Sequence, residues 1–250
     1  SGKLFVSYAW KANGGTTASN GLGSITSTVQ ANADAGFSIV QYGGTGSAAT
    51  IGHGLSSAPE IIFSKQKTGS TDWVAGALDW TKYLEPNDTP AFRSASSVWN
   101  NTAPSSTVFS VAGSGGSNTS GGTNIAYCFH SVDSFSKIDS YEGNGDDYGT
   151  IVETGFEVSW ILIKNVDSAD NWVIFDNKRD TTNPREKILQ ANLDAVESTE
   201  AGAKVDFLAN GFQLRGSGGG IGQTNTSGDT YLYMAFATDP DTEQPTLADS

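Results

Sequence analysis

Asn118-Thr119-Ser120-Gly121 recurs unchanged as Asn225-Thr226-Ser227-Gly228, 107 positions further along the chain. A short apolar run follows each copy, first as residues 125–129 (IAYCF) and then as residues 232–236 (LYMAF). Apolar runs of this length, bounded by turn residues, predict buried β-strands. The pattern therefore indicates two copies of one β unit, each closed by the same strand.

Further matches extend outward from this stretch, and small loop insertions explain why their displacement drifts from 99 to 107 positions. The matched pairs are Tyr42-Gly43-Gly44-Thr45-Gly46 with Tyr141-Glu142-Gly143-Asn144-Gly145, Ile61-Ile62-Phe63-Ser64-Lys65 with Trp160-Ile161-Leu162-Ile163-Lys164, Trp73 with Trp172, Lys82-Tyr83-Leu84 with Lys187-Ile188-Leu189, and Phe109 with Phe212.

A third version of the closing strand stands at the start, as Val6-Ser7-Tyr8-Ala9-Trp10. We interpret residues 1–10 as the closing strand of a preceding repeat. Such a strand implies a longer parent protein, or completes the sheet of a neighbouring copy by strand addition.

The apolar runs predict strands almost throughout. They cover residues 4–10, 24–30, 37–42, 60–65, 72–78, 107–111, 124–130, 136–141, 159–164, 171–176, 204–208, 211–215 and 230–237. Repeated short strands without intervening helices predict an all-β chain of two tandem antiparallel β-sandwich, jelly-roll-like repeats. A helix over residues 184–200 is the alternative there, although Pro86 in the aligned stretch of the first copy would break a helix interior.

The predicted organisation has five parts. Residues 1–10 are the closing strand, 11–36 a linker with one strand, 37–132 the first β-sandwich repeat, 133–237 the second, and 238–250 an acidic tail.

Composition narrows the function classes. The chain has 14 Lys and Arg against 27 Asp and Glu, a formal net charge of −13. This charge would repel phosphate backbones and anionic membranes, so no nucleic-acid partner and no membrane insertion are expected. The single cysteine, Cys128, excludes an intrachain disulfide and is expected to be a buried strand thiol.

Catalytic, cofactor and metal motifs are weak. Gly44-Thr45-Gly46-Ser47-Ala48-Ala49 has the glycines of a dinucleotide fingerprint, but Thr50-Ile51-Gly52-His53-Gly54 is a poor helix opening, so a turn is expected. With only His53 and His130, a catalytic triad or multi-histidine metal site has little to build from. We therefore predict no enzyme, no cofactor and no assigned catalytic, metal or ligand residues.

Two acidic features of the sequence allow alternative functions. Paired-carboxylate catalysis would use acids clustered in sequence, which we interpret as solvated loop charges: Asp139, Glu142, Asp146, Asp147, Glu153 and Glu157. Oxygen ligands for calcium could come from Asn144, Asp146 and Asp147, and whether calcium binds near Asp146 stays open.

Aromatic residues have two expected roles. The matched residues Trp73 and Trp172, and Phe129 and Phe236, are expected to be core anchors. Trp99, Tyr148 and Tyr83 are candidates for exposed loop aromatics that stack on sugar rings.

Five short phrases of the sequence are distinctive: Trp10-Lys11-Ala12-Asn13-Gly14-Gly15, Gly23-Ser24-Ile25-Thr26-Ser27-Thr28-Val29, Ala35-Gly36-Phe37-Ser38-Ile39-Val40, Ile51-Gly52-His53-Gly54-Leu55 and Asp176-Asn177-Lys178-Arg179-Asp180. With them the chain resembles the tandem repeat modules of tail-fibre and other virion structural proteins of marine bacteriophages, notably cyanophages. The resemblance implies a component of the virion surface that contacts host-surface glycans or proteins, or neighbouring virion subunits. By analogy with phage fibres it implies a homo-oligomer, a trimer.

The first hypothesis is therefore a phage structural and adhesion module, such as a tail fibre or decoration. The second is a carbohydrate-binding, lectin-like β-sandwich. The third is a glycan-cleaving depolymerase, which the scarcity of histidine and the unmatched acids disfavour.

Overall fold

A computed structural model describes residues 5–94, 96–113, 115–216, 218 and 220–237. This part of the chain is all-β, and its sheets are antiparallel. None of its helices has the length and apolar character needed to cross a membrane.

Ten strands and one short helix lie in the N-terminal half, which here means residues 11–132. They are β1 (Ala18–Asn20), β2 (Ser27–Asn32), β3 (Phe37–Gly43), β4 (Ala49–Gly52), β5 (Ile61–Gln66), β6 (Val74–Ala77), β7 (Lys82–Tyr83), β8 (Arg93–Ser94), α1 (Ser96–Trp99), β9 (Val108–Val111) and β10 (Thr123–Phe129).

The C-terminal half, residues 133–237, contains nine strands and a 3-10 helix over Ile221–Gln223. The strands are β11 (Ser136–Glu142), β12 (Tyr148–Glu153), β13 (Val158–Asn165), β14 (Trp172–Asp176), β15 (Lys187–Gln190), β16 (Ser198–Thr199), β17 (Lys204–Leu208), β18 (Gly211–Arg215) and β19 (Thr230–Ala237).

Each half contributes one six-stranded sheet. The strand order is β1-β2-β3-β10-β5-β6 in the first and β11-β19-β13-β14-β15-β16 in the second. Smaller sheets lie over them: β4-β9 in the first half and β12-β18-β17 in the second. The closing strands β10 and β19 are central in their sheets, between β3 and β5 and between β11 and β13.

The sheets stack in four layers around three apolar cores. One core lies between the first large sheet and β4-β9 and includes Phe109, and another lies between the second large sheet and β12-β18-β17 and includes Phe212. The third core lies between the two large sheets. Both large sheets are thus buried on both faces. The continuous apolar runs at residues 125–129 and 232–236 predict such burial for β10 and β19.

Alternate side chains of the closing strands pack into two different cores. Met234 and Phe236 of β19 face the core between the large sheets, whereas Tyr233 and Ala235 face the outer core of the second half. Successive side chains of a strand point to opposite faces, so a strand between two cores needs apolar residues at every position. This explains the runs from which the repeat was inferred. Cys128 of β10 is a buried free thiol, as expected.

The N-terminal residues differ from the predictions. Residues 5–10 form no strand, so the strand predicted over 4–10 is wrong there. Instead Trp10 packs edge-on to Phe129 and Trp160, with ring centroids 6.1 and 5.4 Å apart, and the Tyr8 hydroxyl donates to Asp176 Oδ2 at 2.7 Å. Their side chains join the core between the large sheets rather than a sheet edge.

Two more predicted segments are the linker and the acidic tail. Residues 11–36, expected to be a linker with one strand, contain two strands, β1 and β2, which extend the first large sheet. The acidic tail predicted over 238–250 lies outside the described residues, as do residues 1–4.

The alternative of a helix over residues 184–200 is wrong. The segment contains β15 and β16, and Ile188 of β15 is fully buried in the outer core of the second half. Pairing of β15 with β14, through Ile174 opposite Leu189, supplies the backbone partners that a helix would otherwise provide.

Two asparagines hold equivalent loops. In the N-terminal half, Asn118 Oδ1 accepts from the amide of Thr45 at 2.8 Å and Nδ2 donates to the carbonyl of Ser47 at 2.6 Å. In the C-terminal half, Asn225 makes the same pair of bonds, to the amide of Asn144 and the carbonyl of Asp146, both at 3.0 Å. In each half a buried asparagine thus satisfies backbone groups on a facing loop, which gives both copies of the sequence motif the same structural role.

A buried lysine joins the halves. Lys164 of β13 is fully buried, and its ammonium donates to the carbonyls of Thr89, Asn165 and Asp170 at 2.9, 2.7 and 3.0 Å. Thr89 belongs to the N-terminal half and the other partners to the C-terminal half. Burial lowers the pKa of Lys164 from 10.5 to about 8, while the nearby carboxylates of Asp170 and Asp88 act in the opposite direction.

This lysine predicts a pH dependence of stability. Between pH 8 and 10.5 the unfolded chain binds a proton at Lys164 that the folded chain has released, so the free energy of unfolding rises with pH. Other groups titrate in this range, and therefore we compare the protein with Lys164→Met. Urea titrations at pH 7 and pH 10 give the free energy of unfolding of both proteins. The value for the wild type minus the value for Lys164→Met is expected to be larger at pH 10 than at pH 7. A constant difference would contradict the lowered pKa.

Candidate ligand-binding cleft

The carboxylates clustered in sequence do not converge on a site. Side chains of Asp139, Glu142, Asp146, Glu153 and Glu157 are all exposed, along β11, β12 and the loops beside them. Within the described ranges, no group of three or more His, Cys, Asp or Glu side chains is placed to hold a metal ion.

The loop considered for calcium is organised by hydrogen bonds. Asn144 Oδ1 accepts from the amide of Asp146 at 3.0 Å and from Nδ2 of Asn225 at 3.3 Å. This oxygen is therefore occupied within the loop, while Asp146 and Asp147 are exposed. The segment Gly44–Ala49, considered for a dinucleotide, runs from the end of β3 through a loop to the first residue of β4, without a helix.

Both histidines have structural contacts. His53 is buried after β4; its Nδ1 accepts from the amide of Leu55, and its Nε2 lies 3.1 Å from the carbonyl of Ser105. Burial lowers the pKa of His53, so the neutral form is favoured. His130 Nδ1 lies 2.7 Å from the carbonyl of Ser131.

The loop aromatics proposed for sugar stacking have three different environments. Trp99 is fully buried in the outer core of the first half, so its assignment as an exposed residue is wrong. Tyr148 is 72% exposed, and the Arg215 guanidinium lies 4.1 Å from its ring centroid. Tyr83 is half-buried.

A cleft of about 840 Å³ is lined by residues of both large sheets and of the loops beside them. Small-molecule sites have volumes of about 300–1,000 Å³ and are mainly apolar with a few polar groups. This cleft has that character: aromatic and aliphatic side chains form its walls, and amide and carboxylate groups lie among its lining residues. The main contributors are Phe63, Trp73, Tyr127, Trp160, Trp172, Asn87, Asn192 and Asp194.

Two tryptophans of the cleft are held by the same type of contact. The amide of Trp73 donates to Asn87 Oδ1 at 2.8 Å, and Asn87 Nδ2 donates to Asp72 Oδ1. In the second half, the amide of Trp172 donates to Asn192 Oδ1 at 3.0 Å, and Asn192 Nδ2 donates to Asn171 Oδ1. In both cases an asparagine side chain fixes the backbone where a strand begins. Strand β6 begins directly after Trp73, and β14 begins at Trp172.

The two tryptophans nevertheless differ in burial. Trp172 is 1% exposed, and its Nε1 donates to the carbonyl of Glu85 at 3.1 Å, so it is a core anchor as predicted. Trp73 is only half-buried and stacks on Tyr127 with centroids 6.1 Å apart, so the prediction of a core role is wrong for Trp73. Its ring forms part of the cleft wall instead. Phe129 and Phe236 are buried as predicted.

A third tryptophan that lines the cleft, Trp160, has an unpaired donor. Trp160 is 8% exposed, and its Nε1 is shielded from solvent with no hydrogen-bond partner among the described residues. Trp172 pairs with Lys164, four residues along β13 from Trp160, so the backbone positions of the two tryptophans are offset by about 13 Å along the strands. An unpaired buried N–H costs about 1–3 kcal/mol, which an acceptor on a ligand would relieve.

Trp73 and Trp172 are recognisable from sequence, but the cleft is not. A signal for the site is nevertheless present, since Asp72 and Asn171 precede the tryptophans, and Asn87 and Asn192 follow them 14 and 20 residues later. The side chains of each such pair bond to each other and fix the loops on either side of the tryptophan.

Comparison with known proteins gives one result. No curated protein and no solved structure matches the chain. One family model, described as a domain of unknown function, DUF7483, matches residues 1–240, across both halves of the fold. The chain therefore belongs to the DUF7483 family.

Proposed function

We propose that this chain is a non-enzymatic module of the surface of a bacteriophage particle, in a tail fibre or decoration, and that it contributes to host attachment. The single observation that carries the adhesive role is the solvent-open aromatic cleft, which has the size and lining of a ligand site. The resemblance of its sequence phrases to phage tail-fibre repeats supports the location, and the net charge of −13 suits an exposed, soluble surface.

The two halves are, in this proposal, tandem copies of one β-sandwich repeat. Support comes from the equal strand order around β10 and β19 and from the paired asparagine contacts. Two buried tyrosines add to it: the Tyr42 hydroxyl donates to the carbonyl of Ser117 at 2.6 Å, and the Tyr141 hydroxyl donates to that of Thr224 at 2.7 Å. Each pair has the displacement that the sequence matches predict.

The repeats are proposed to act as one rigid unit. Their large sheets share the core between them, to which Trp160 and Phe236 contribute from one half and Phe37 and Phe129 from the other. A shared core of this kind opposes independent movement of the halves, which suits a module that transmits load between a particle and a cell.

The carbohydrate-binding alternative becomes part of the same proposal, because the cleft provides aromatic faces beside polar groups. A glycan-cleaving enzyme has less support, since the acids considered for it are exposed and dispersed.

Immunogold labelling tests the location. Antibodies against the purified chain are expected to label the exterior of intact particles that carry the protein, and their Fab fragments to reduce adsorption to host cells. Labelling only after particles are disrupted, or adsorption unchanged by Fab fragments that do label particles, would contradict the proposal.

A further inference from the structure

We propose that the cleft between the large sheets binds a short neutral oligosaccharide, with one sugar ring against Trp73 and one sugar oxygen accepting a hydrogen bond from Nε1 of Trp160. This inference deepens the proposed function, on which it rests for its biological role. The binding itself is a property of the isolated chain.

The wall chemistry requires an occupant with flat, apolar faces. Phe63, Trp73, Tyr127 and Trp172 present aromatic rings, and Trp73 stacks on Tyr127 at an interplanar angle of 26°. The C–H faces of a sugar ring carry weak positive charge, which complements the negative face of an indole ring. A half-buried tryptophan whose backbone is fixed by Asn87 is suited to such stacking, because little freedom is lost on binding.

The polar groups require hydroxyl-bearing chemistry rather than an acyl chain. Each of Asn87 and Asn192 uses one amide hydrogen in the contacts described above and has a second that could bond a ligand oxygen. Asp194 adds an exposed carboxylate that can accept from a hydroxyl. An alkyl chain would satisfy none of these groups, and it would leave the Nε1 of Trp160 unpaired.

The charge of the protein and the length of the cleft narrow the class of ligand. The net charge of −13 and the carboxylate of Asp194 disfavour acidic polysaccharides, so a neutral glycan is expected. The backbone positions of Trp160 and Trp172, which both line the cleft, are offset by about 13 Å along the strands, more than the length of a single sugar ring. A ligand that extends over this length is therefore an oligosaccharide.

Access to the Trp160 donor requires a side-chain movement. Its Nε1 is shielded from solvent, and the ring of Trp10 packs 5.4 Å away, centroid to centroid. Trp10 lies in a segment outside any strand, so no sheet hydrogen bonds oppose a shift of this residue. Binding is thus expected to alter the fluorescence of both tryptophans.

The test begins with the labelled full chain on an array of neutral and acidic glycans, followed by fluorescence titration with the best ligand. Trp73→Ala is expected to weaken binding about tenfold or more, as loss of a central aromatic contact typically does. Trp160→Phe keeps an aromatic ring but removes the N–H, and it is expected to weaken binding severalfold. Leu193→Arg is expected to block the mouth of the cleft from a residue that is 48% exposed, without disturbing a core.

Two variants serve as matched controls. Trp99→Phe removes another indole N–H that has no partner among the described residues, in the outer core of the first half, and Tyr148→Ala removes an exposed aromatic away from the cleft. Both are expected to retain binding, and circular dichroism checks that every variant is folded.

Three results would overturn the inference. They are no glycan binding by the wild type, unchanged binding in both Trp73→Ala and Leu193→Arg, and binding to phosphatidylcholine vesicles in place of glycans. Immunogold labelling of particles does not depend on the ligand, so particles that are labelled while the array stays negative would remove only the glycan inference.

Discussion

Trp172→Ala is expected to lower the free energy of unfolding by about 3–5 kcal/mol, the range for replacing a large buried aromatic by alanine. Trp172 is 1% exposed, packs 6.1 Å from Phe63, centroid to centroid, and donates its indole N–H to Glu85. The substitution creates a cavity between the large sheets and leaves the carbonyl of Glu85 without this donor. Trp73→Ala is the matched control, because Trp73 has an equivalent backbone contact but is half-buried, and its cost is expected to be clearly smaller.

Urea unfolding followed by far-ultraviolet circular dichroism and by fluorescence measures both effects. Since the core between the sheets is shared, the two probes are expected to report one cooperative transition in the wild type. Equal losses in the two variants, or two separate transitions in the wild type, would contradict the shared core.

The second large effect concerns the two asparagine contacts. Asn118→Ala and Asn225→Ala are each expected to lower the free energy of unfolding by about 2 kcal/mol, because each removes a fully buried side chain together with its hydrogen bonds to a facing loop. Both asparagines are fully buried and bond one amide and one carbonyl of their loop. The two losses are expected to agree within about 1 kcal/mol, given the equivalent geometry.

Ser120→Ala is the control for these variants, since Ser120 lies two residues from Asn118 and is exposed. Its effect is expected to stay within about 0.5 kcal/mol. A neutral Asn225→Ala beside a costly Asn118→Ala would show that the loops are not held in the same way.

Strands buried on both faces were predictable from sequence, whereas strands with few apolar residues were not. The runs that formed β10 and β19 carry apolar residues at almost every position. By contrast β4 and β12 were not predicted, because each contributes only one large residue to a core, Ile51 and Val152, and neither forms a long apolar run. Their pairing with β9 and β18 determines their conformation, and such pairing is not visible in local sequence.

The N-terminal error has a similar cause. Val6, Tyr8 and Trp10 alternate with small residues as a strand would, and they match the closing strands. Tyr8 and Trp10 use this alternation to pack on the core between the large sheets, while Val6 is 45% exposed. The alternation of large and small residues therefore predicted an extended chain with one buried face. It could not predict whether that chain pairs with a sheet or packs on a core.

The cleft depends on how the two halves pack, which no local pattern encodes. Trp73 and Trp172 occupy matched sequence positions and have the same asparagine contact, yet one is half-buried and the other fully buried. Both tryptophans line the cleft, but Trp172 is also packed into the core between the large sheets. Residue types could therefore suggest aromatic anchors, but only the packing of the sheets reveals which of them keeps an exposed face.

The most direct test of a surface adhesion module is cryo-electron microscopy of particles that carry this protein. The account predicts repeated copies of the four-layer fold on the exterior, with the cleft beside Trp73 open to solvent. A chain absent from the particle, or a cleft covered by a neighbouring virion subunit in every copy, would contradict it.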